Sequence, residues 1–181
     1  MTRCSYPDPD LGQGQTRLRP WREDDLECIR LAATDADIPT GTTVPARFSE
    51  EEGRAFVRRQ WGRLTDNQGV SLAIVDAATD DAVGLAVVLL RPQQRVAGLG
   101  YWVVPPARGH GRATTAVRLL SRWALASWDL QRVEAWVAPH NEPSQRTLLA
   151  AGFQREGVLR NFLERGTEAA VVFSLIPSDL A

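Results

Sequence analysis

A glycine-rich segment, RGHGRATTAVRLL at residues 108–120, leads directly into an apolar pattern of helical period. Gly109 and Gly111 permit positive φ angles, so successive backbone N–H groups can converge on an anion at the positive end of the following helix. Arg108 and Arg112 could add charge-assisted hydrogen bonds of a kind suited to phosphate oxygens. The segment therefore predicts a phosphate site.

Two other phosphate motifs do not fit these residues. A Walker loop requires Gly-Lys-Ser or Gly-Lys-Thr, and the chain contains no lysine. A dinucleotide fingerprint requires GxGxxG at a strand-to-helix turn, whereas the nearest match, GLGYWV at 98–103, lacks the third glycine and lies within a predicted strand. Neither nucleotide-binding fold is supported.

The remaining pattern is Arg-x-x-Gly-x-Ala, between a predicted strand, LGYWVVP, and an amphipathic helix. In this setting the segment resembles the acyl-coenzyme A pyrophosphate loop of the GNAT superfamily of N-acetyltransferases, in particular the RimJ/RimL-type branch. The alternative is a glycine-rich turn that caps an ordinary helix. The resemblance covers roughly residues 16–176 and implies acetyl-CoA as acyl donor, held by Arg108, Gly109, His110, Gly111, Arg112, Ala113 and Thr114.

A second segment, RVEAWVAPHNEPSQRTLLAAGF at 132–153, is similar to the next strand and helix of that branch. Asn141 suits an N-cap and Gly152 a position just past the helix end. The resemblance implies that Asn141 and Ser144 contact the pantetheine arm or the sulfur. For Asn141 a cap and a ligand contact stay open, and Ser144 is either the donor to the leaving sulfur or a solvent-facing helix residue. The resemblance also implies that pantetheine pairs with the backbone of Tyr101, Trp102, Val103 and Val104.

The general base is less defined. Relatives often carry glutamate at the start of the fourth strand, and the matching residue here is Gly98. Glu134 on the fifth predicted strand could approach the amine or face solvent. His140 has a suitable titration range, but its place beside Asn141 favours a loop role.

The acceptor groove is expected from the loop at 34–48 and the helix at 50–66. Similar proteins wall this groove with the segments that here carry Trp21 and Trp61. The acidic residues Glu50, Glu51 and Glu52 could attract cationic amines, although a solvated helix N-terminus explains them equally well.

The elements that must position these residues indicate an α/β (α+β) fold. Three strand patterns between 70 and 104 suggest an antiparallel meander, and Ser49 with Glu52 predicts the N-terminus of a helix. The family resemblance implies a mixed, mostly antiparallel sheet of about seven strands with about four helices, splayed between the fourth and fifth strands. We expect a flexible leader over 1–15, rich in Pro, Gly, Asp and Gln, and one domain over 16–181.

Composition narrows the remaining choices. The 21 basic and 22 acidic residues nearly balance, so no nucleic-acid or membrane partner is expected. Cys4 and Cys28 show no disulfide or metal spacing, and no signal peptide or membrane-spanning run is present, so we predict a soluble, cytoplasmic protein without a metal. The expected partners are acetyl-CoA and an amine, with a homodimer left open.

Taken with the resemblance, these residues predict an acetyl-CoA-dependent N-acetyltransferase acting on a primary amine, either a protein N-terminal α-amine or a small-molecule amine, by direct attack in a ternary complex. The alternatives are transfer of a succinyl or other acyl group and a non-catalytic acyl-CoA-binding regulatory module, which the missing glutamate at Gly98 would allow.

Overall fold

Eight strands form one mixed sheet in the order β1-β2-β3-β4-β5-β6-β8-β7 in the computed structural model, which describes residues 3–180. All neighbours are antiparallel except β5 and β6. The strands are β1 Leu11–Gln13, β2 Thr16–Pro20, β3 Gly69–Asp76, β4 Ala82–Leu90, β5 Val96–Val103, β6 Arg132–Val137, β7 Gln154–Leu163 and β8 Glu168–Leu175. The mixed, mostly antiparallel α/β sheet is confirmed, with β1 as a strand that the sequence did not predict.

Across residues 3–180, five α-helices flank the sheet, one more than predicted. They are α1 Leu26–Ala33, α2 Ile38–Gly41, α3 Glu50–Thr65, α4 Arg112–Ser127 and α5 Glu142–Ala151. Ser49 caps α3 by accepting a hydrogen bond from the Glu52 backbone N–H at 3.2 Å, as the spacing of these residues predicts. The additional helix is the single turn α2, which lies within the expected loop at 34–48.

Alternation along the strands gives the sheet two apolar faces. Val133, Ala135 and Val137 of β6 belong to a core cluster that includes residues of α4 and α5. Trp102 of β5 belongs to a second cluster with residues of α1 and α3. Burial of both faces places the central strands between two helical layers.

The parallel pair β5 and β6 separates after three residue pairs, Val96 with Arg132, Ala97 with Val133 and Gly98 with Glu134. Beyond these pairs β5 continues to Val103 and β6 to Val137 without pairing to each other. The predicted splay between the fourth and fifth strands is therefore confirmed. Because β1 is an additional strand, these two strands are β5 and β6 in the structure.

The predicted loose leader is wrong for residues 3–15, and residues 1 and 2 lie outside the described part. Cys4 is 7% exposed, and its backbone N–H donates to Asn67 Oδ1 at 2.8 Å. Gly14 has a φ of 58°, which allows the tight turn that pairs β1 with β2. Polar composition concealed these contacts because one buried side chain and one short hairpin suffice to order the segment. Within residues 3–180, no helix has the length and apolar character needed to cross a bilayer.

Candidate active site

The loop before α4 presents a row of backbone donors. Gly109 has a φ of 82° and Gly111, the N-cap of α4, a φ of 70°. A Cβ atom at either glycine would meet nothing within 4 Å, so backbone conformation rather than packing demands glycine here. Within residues 3–180, the backbone N–H groups of the six residues 109 to 114 donate to no protein acceptor.

The electrostatic setting of these donors favours an anion. They lie at the N-terminus of a 16-residue helix, where the macrodipole is positive, and the first turn of α4 contains no acidic residue. His110 is exposed within the same loop. The part of the chain that the structure describes therefore provides no acceptor for these N–H groups and no carboxylate in the first turn of the helix.

The two arginines of the motif are held by protein groups. Arg108 donates from Nε to the Val103 carbonyl at 2.9 Å and from Nη2 to Asp35 Oδ2 at 2.8 Å. Arg112 donates to the Gln15 carbonyl at 2.9 Å and pairs with Asp76. These contacts hold the loop in place, and the predicted contact of either guanidinium with phosphate stays a prediction beside the backbone donors.

One edge of β5 is open where the strands separate. The other edge of β5 pairs with β4, starting at Val103 opposite Gly84. Just past the end of β5, the Val104 backbone N–H continues this pairing by donating to the Val83 carbonyl at 2.9 Å. Because backbone groups of successive residues point to opposite edges of a strand, those of Tyr101 and Val103 face the gap toward β6, where the Val103 carbonyl already accepts a hydrogen bond from Arg108 Nε. The expectation for Trp102 and Val104 is wrong in this respect, since their backbone groups face β4 and their side chains are buried.

Tyr101 and Ser144 meet across the splayed strands. The Tyr101 hydroxyl lies 2.8 Å from Ser144 Oγ and 3.0 Å from the Ser144 carbonyl oxygen. Burial raises the pKa of Tyr101 to about 12, although hydrogen bonds with Ser144 and Thr147 act in the opposite direction. The phenol is therefore a neutral proton donor at physiological pH. Sequence reasoning used only the backbone of Tyr101 and missed this pairing.

Asn141 is the N-cap of α5, accepting through Oδ1 the backbone N–H of Ser144 at 3.1 Å. Gly152 ends the helix with a φ of 100°, as expected. The capping half of the prediction for Asn141 is thus confirmed, and the same bond holds the residue whose hydroxyl meets Tyr101.

The place of the missing glutamate is occupied by a guanidinium. A Cβ atom at Gly98 would lie 2.5 Å from Arg91 Cζ, and that carbon lies 3.8 Å from the ring centroid of Trp136. Arg91 Nε is 3.4 Å from Glu134 Oε1, an ion pair without hydrogen-bond geometry. Sequence reasoning missed Arg91. The one indication in the sequence was Gly98, because a glycine there leaves room for the guanidinium.

Glu134 does not face solvent. Its side chain is 14% exposed, and Oε2 accepts a hydrogen bond from Arg132 Nε at 3.1 Å. It is the register partner of Gly98, so its carboxylate lies one strand away from the position that carries glutamate in relatives. His140 is instead exposed and lies 2.9 Å from Glu168 Oε1.

A cavity of about 480 Å³ opens between α3 and β5. The predicted loop and helix both contribute to its wall. Its lining consists of Thr40, Gly41, Thr42, Thr43, Phe56, Gln60, Arg63, Leu85, Val87, Gly100, Tyr101, Trp102 and Glu164. A larger cavity of about 920 Å³, lined by Cys4, Tyr6 and Leu64 among others, contains no residue of the loop or of β5.

Neither predicted groove tryptophan lines the cavity beside β5. Trp21 is 2% exposed and packs edge-on against Phe56, with ring centroids 5.4 Å apart. Trp61 donates from Nε1 to the Trp21 carbonyl at 2.8 Å. Trp21 thus belongs to the core, whereas Trp61 is partly exposed, and contact of either side chain with substrate stays a prediction. The acidic residues 50–52 are exposed at the start of α3 and do not line the cavity either.

Comparisons with known proteins agree with this geometry. A family model described as acetyltransferase (GNAT) domain matches residues 15–154. The uncharacterized N-acetyltransferase p20 of Bacillus licheniformis is 33% identical over 146 residues, 80% of this chain and 82% of that protein. A putative ribosomal-protein-serine acetyltransferase from Vibrio cholerae has a TM-score of 0.80 at 25% identity, over 96% of this chain and 100% of that one. RimJ of Mycobacterium smegmatis, solved with CoA-disulfide, has a TM-score of 0.81 at 24% identity, over 94% and 88%.

Proposed function

Since this chain belongs to the GNAT acetyltransferase family, we propose that it transfers the acetyl group of acetyl-CoA to a primary amine by direct attack in a ternary complex. The observation that carries the proposal is the row of six backbone N–H groups without a protein acceptor at the N-terminus of α4. Such a row suits the pyrophosphate of coenzyme A, because converging N–H groups and the helix dipole both favour anionic oxygens. The CoA-disulfide in the RimJ structure supports this assignment.

The open edge of β5 would hold the pantetheine arm. The backbone groups of Tyr101 and Val103 face the gap, and the gap closes where Gly98 pairs with Glu134. A ligand anchored at residues 109–114 and running along this edge would bring its thioester toward the closed end. The paired hydroxyls of Tyr101 and Ser144 lie beside the same gap.

The reaction follows from these positions. The lone pair of a neutral amine attacks the thioester carbonyl carbon, forming a zwitterionic tetrahedral intermediate with negative charge on oxygen and positive charge on nitrogen. Collapse re-forms the carbonyl and breaks the C–S bond, so the electron pair leaves on sulfur. The Tyr101–Ser144 hydroxyls donate a hydrogen bond to the departing thiolate. The proton that the new amide nitrogen loses then neutralises the sulfur through this pair, so both hydroxyls end the reaction protonated.

The amine must lose a proton before or during attack. Glu134 is our candidate acceptor for it, since its carboxylate is the partner of Gly98 at the closed end of the gap. Its hydrogen bond from Arg132 and its ion pair with Arg91 hold it in place but also compete for its oxygens. Glu134→Gln would lower kcat/KM and flatten its acidic limb if the carboxylate takes the proton. An unchanged acidic limb would reduce Glu134 to a positioning residue.

The proposal is tested by thioester turnover with a panel of amines, following thiol release from acetyl-CoA and succinyl-CoA in parallel. The panel contains peptides with free α-amines, polyamines, aminoglycosides and amino acids. Amine-dependent release from acetyl-CoA supports the assignment, and a preference for succinyl-CoA would change the donor. Binding of acetyl-CoA without release across the panel would favour a regulatory acyl-CoA-binding role and contradict the proposed activity.

A further inference from the structure

The wall of the cavity on α3 carries a guanidinium without a carboxylate partner. Arg63 is half-buried, and its one hydrogen bond within residues 3–180 runs from Nε to Gln60 Oε1 at 3.1 Å. In the same part of the chain, no carboxylate oxygen lies within 4.0 Å of its guanidinium nitrogens. The terminal amino groups of Arg63 are therefore available to a ligand in the cavity that this residue lines.

Arg63 is held in this position by a buried amide. Gln60 is fully buried, with 0% exposure, and donates from Nε2 to the Phe56 carbonyl at 3.2 Å while its oxygen accepts from Arg63. Burying an amide has a free-energy cost unless its polar atoms are satisfied, and here the satisfied atoms orient a guanidinium. The guanidinium of Arg63 is therefore held in a defined position in the cavity wall, unlike a freely rotating surface arginine.

The surrounding charge favours an anion next to Arg63. Burial, together with repulsion from Arg59 one turn away, lowers the pKa of Arg63, so its charged form lacks compensation. The guanidinium of Arg91 lies over Gly98. Gly98 and Gly100 are two positions apart on β5 and share one face of the sheet, so Arg91 lies on the same face as Gly100. Glu164 is the one acidic residue among the described lining residues, and it is exposed.

Building on the function proposed above, we propose that the acceptor amine carries an anionic group, a carboxylate or a phosphate, and that Arg63 binds this group while the amine faces β5. The planar guanidinium can offer two parallel N–H donors to two oxygens of either anion. The substrate class is thus an amino acid-like or phosphorylated amine rather than a polycation.

The test compares matched acceptors that differ only in this group. Amino acids are compared with their carboxamides, and phosphoethanolamine with ethanolamine, so that the two arms separate carboxylate from phosphate. Their binding to the protein with coenzyme A present is measured by calorimetry, and KM is measured wherever turnover occurs. We expect the anionic member of one pair to bind roughly 10-fold to 100-fold more tightly, as for a charge-assisted hydrogen bond.

Variants assign this preference to the residue. Arg63→Gln should remove the preference for the anion. Arg63→Lys should retain part of it, because lysine keeps the positive charge but lacks the two parallel N–H donors of a guanidinium. Arg58→Gln changes an exposed arginine of the same helix outside the cavity and should keep the full preference. Unfolding curves of each variant confirm that it folds.

Equal binding of both members in both pairs, no binding by any member, or a preference that survives Arg63→Gln would overturn the inference. These readouts do not require turnover. If the preference for the anion is lost in Arg63→Gln but no acetyl transfer occurs, the inference stands and the proposed activity is rejected. If anionic and neutral amines are acetylated equally well, the proposed activity stands and the inference is rejected.

Discussion

In the proposed reaction, one pair of hydroxyl groups stabilises the leaving thiolate. Tyr101 and Ser144 come from β5 and α5, and their hydroxyl oxygens are 2.8 Å apart. Removal of both hydroxyls eliminates the two donors of this pair, whereas removal of one leaves the other. Ser144 was predicted from resemblance, and its partner emerged only from the structure.

Ser144→Ala and Tyr101→Phe should each lower kcat with little change in the affinity for acetyl-CoA. We expect the double variant to lose roughly 100-fold to 10,000-fold, the usual contribution of general acid catalysis. Steady-state kinetics combined with titration of acetyl-CoA separate the two effects. An unaltered kcat in the double variant would remove the pair from the mechanism.

The raised pKa of Tyr101 also predicts a dependence of stability on pH. An unfolded tyrosine ionises near pH 10, whereas burial holds the folded pKa at about 12, so the folded state retains the proton in between. The contribution is fully present below pH 10 and is lost as the pH rises toward 12. Between pH 9 and 11, urea unfolding of the wild type should therefore lose about 1 kcal/mol more than that of Tyr101→Phe. Parallel losses in the two proteins would contradict this.

At the scale of elements, the start of α5 couples a cap to the candidate acid. Asn141 Oδ1 accepts the backbone N–H of Ser144, the same residue whose hydroxyl meets Tyr101. A structural cap and a ligand contact at Asn141 are therefore not exclusive, and the two can be separated by substitution.

Asn141→Ala should cost about 1 kcal/mol of stability through loss of the cap and should also lower kcat by displacing Ser144. Asn141→Asp retains an N-cap acceptor and should restore stability. If the aspartate variant also recovers kcat, capping explains the residue. Restored stability with persistently low kcat would show instead that the amide itself contacts the ligand.

Local signals predicted these elements well. The positive φ angles of Gly109, Gly111 and Gly152 and the caps at Ser49 and Asn141 depend on a few neighbouring residues, so the sequence suffices. Tertiary placement was harder. Trp21 is buried because α3 packs over it, and β1 exists because Gly14 turns the chain onto β2. No local pattern reports either contact.

Arg91 illustrates the same limit in the site. Relatives suggested a carboxylate at Gly98, and the absence of that side chain was visible in the sequence. The guanidinium that fills the space comes from the end of β4, seven positions away, and its partner Glu134 comes from β6. Only the sheet register brings the three positions together.

For the molecule as a whole, the proposed function depends on the splayed sheet. Two helical layers bury both faces of the strands, and the parallel pair parts after Gly98 and Glu134. In the described part of the chain, residues 3–180, this leaves an edge of β5 and the N-terminus of α4 without backbone acceptors or donors opposite them. A ligand that satisfies these groups binds the folded state alone and should raise its stability, by about 2.7 kcal/mol at 100 times its Kd.

The most direct measurement of the central claim is calorimetric titration of the protein and of its Gly111→Asp and Gly111→Asn variants with acetyl-CoA, alongside coenzyme A and succinyl-CoA. Both substitutes tolerate the left-handed backbone of Gly111, but only aspartate places a negative charge beside the N–H row. We predict saturable binding of one acetyl-CoA per chain to the wild type with a micromolar Kd, about −8 kcal/mol, together with a smaller loss in the asparagine variant and abolished binding in the aspartate variant. Absence of saturable binding to the wild type, or equal affinity in the aspartate variant, would contradict the assignment of this loop to the coenzyme.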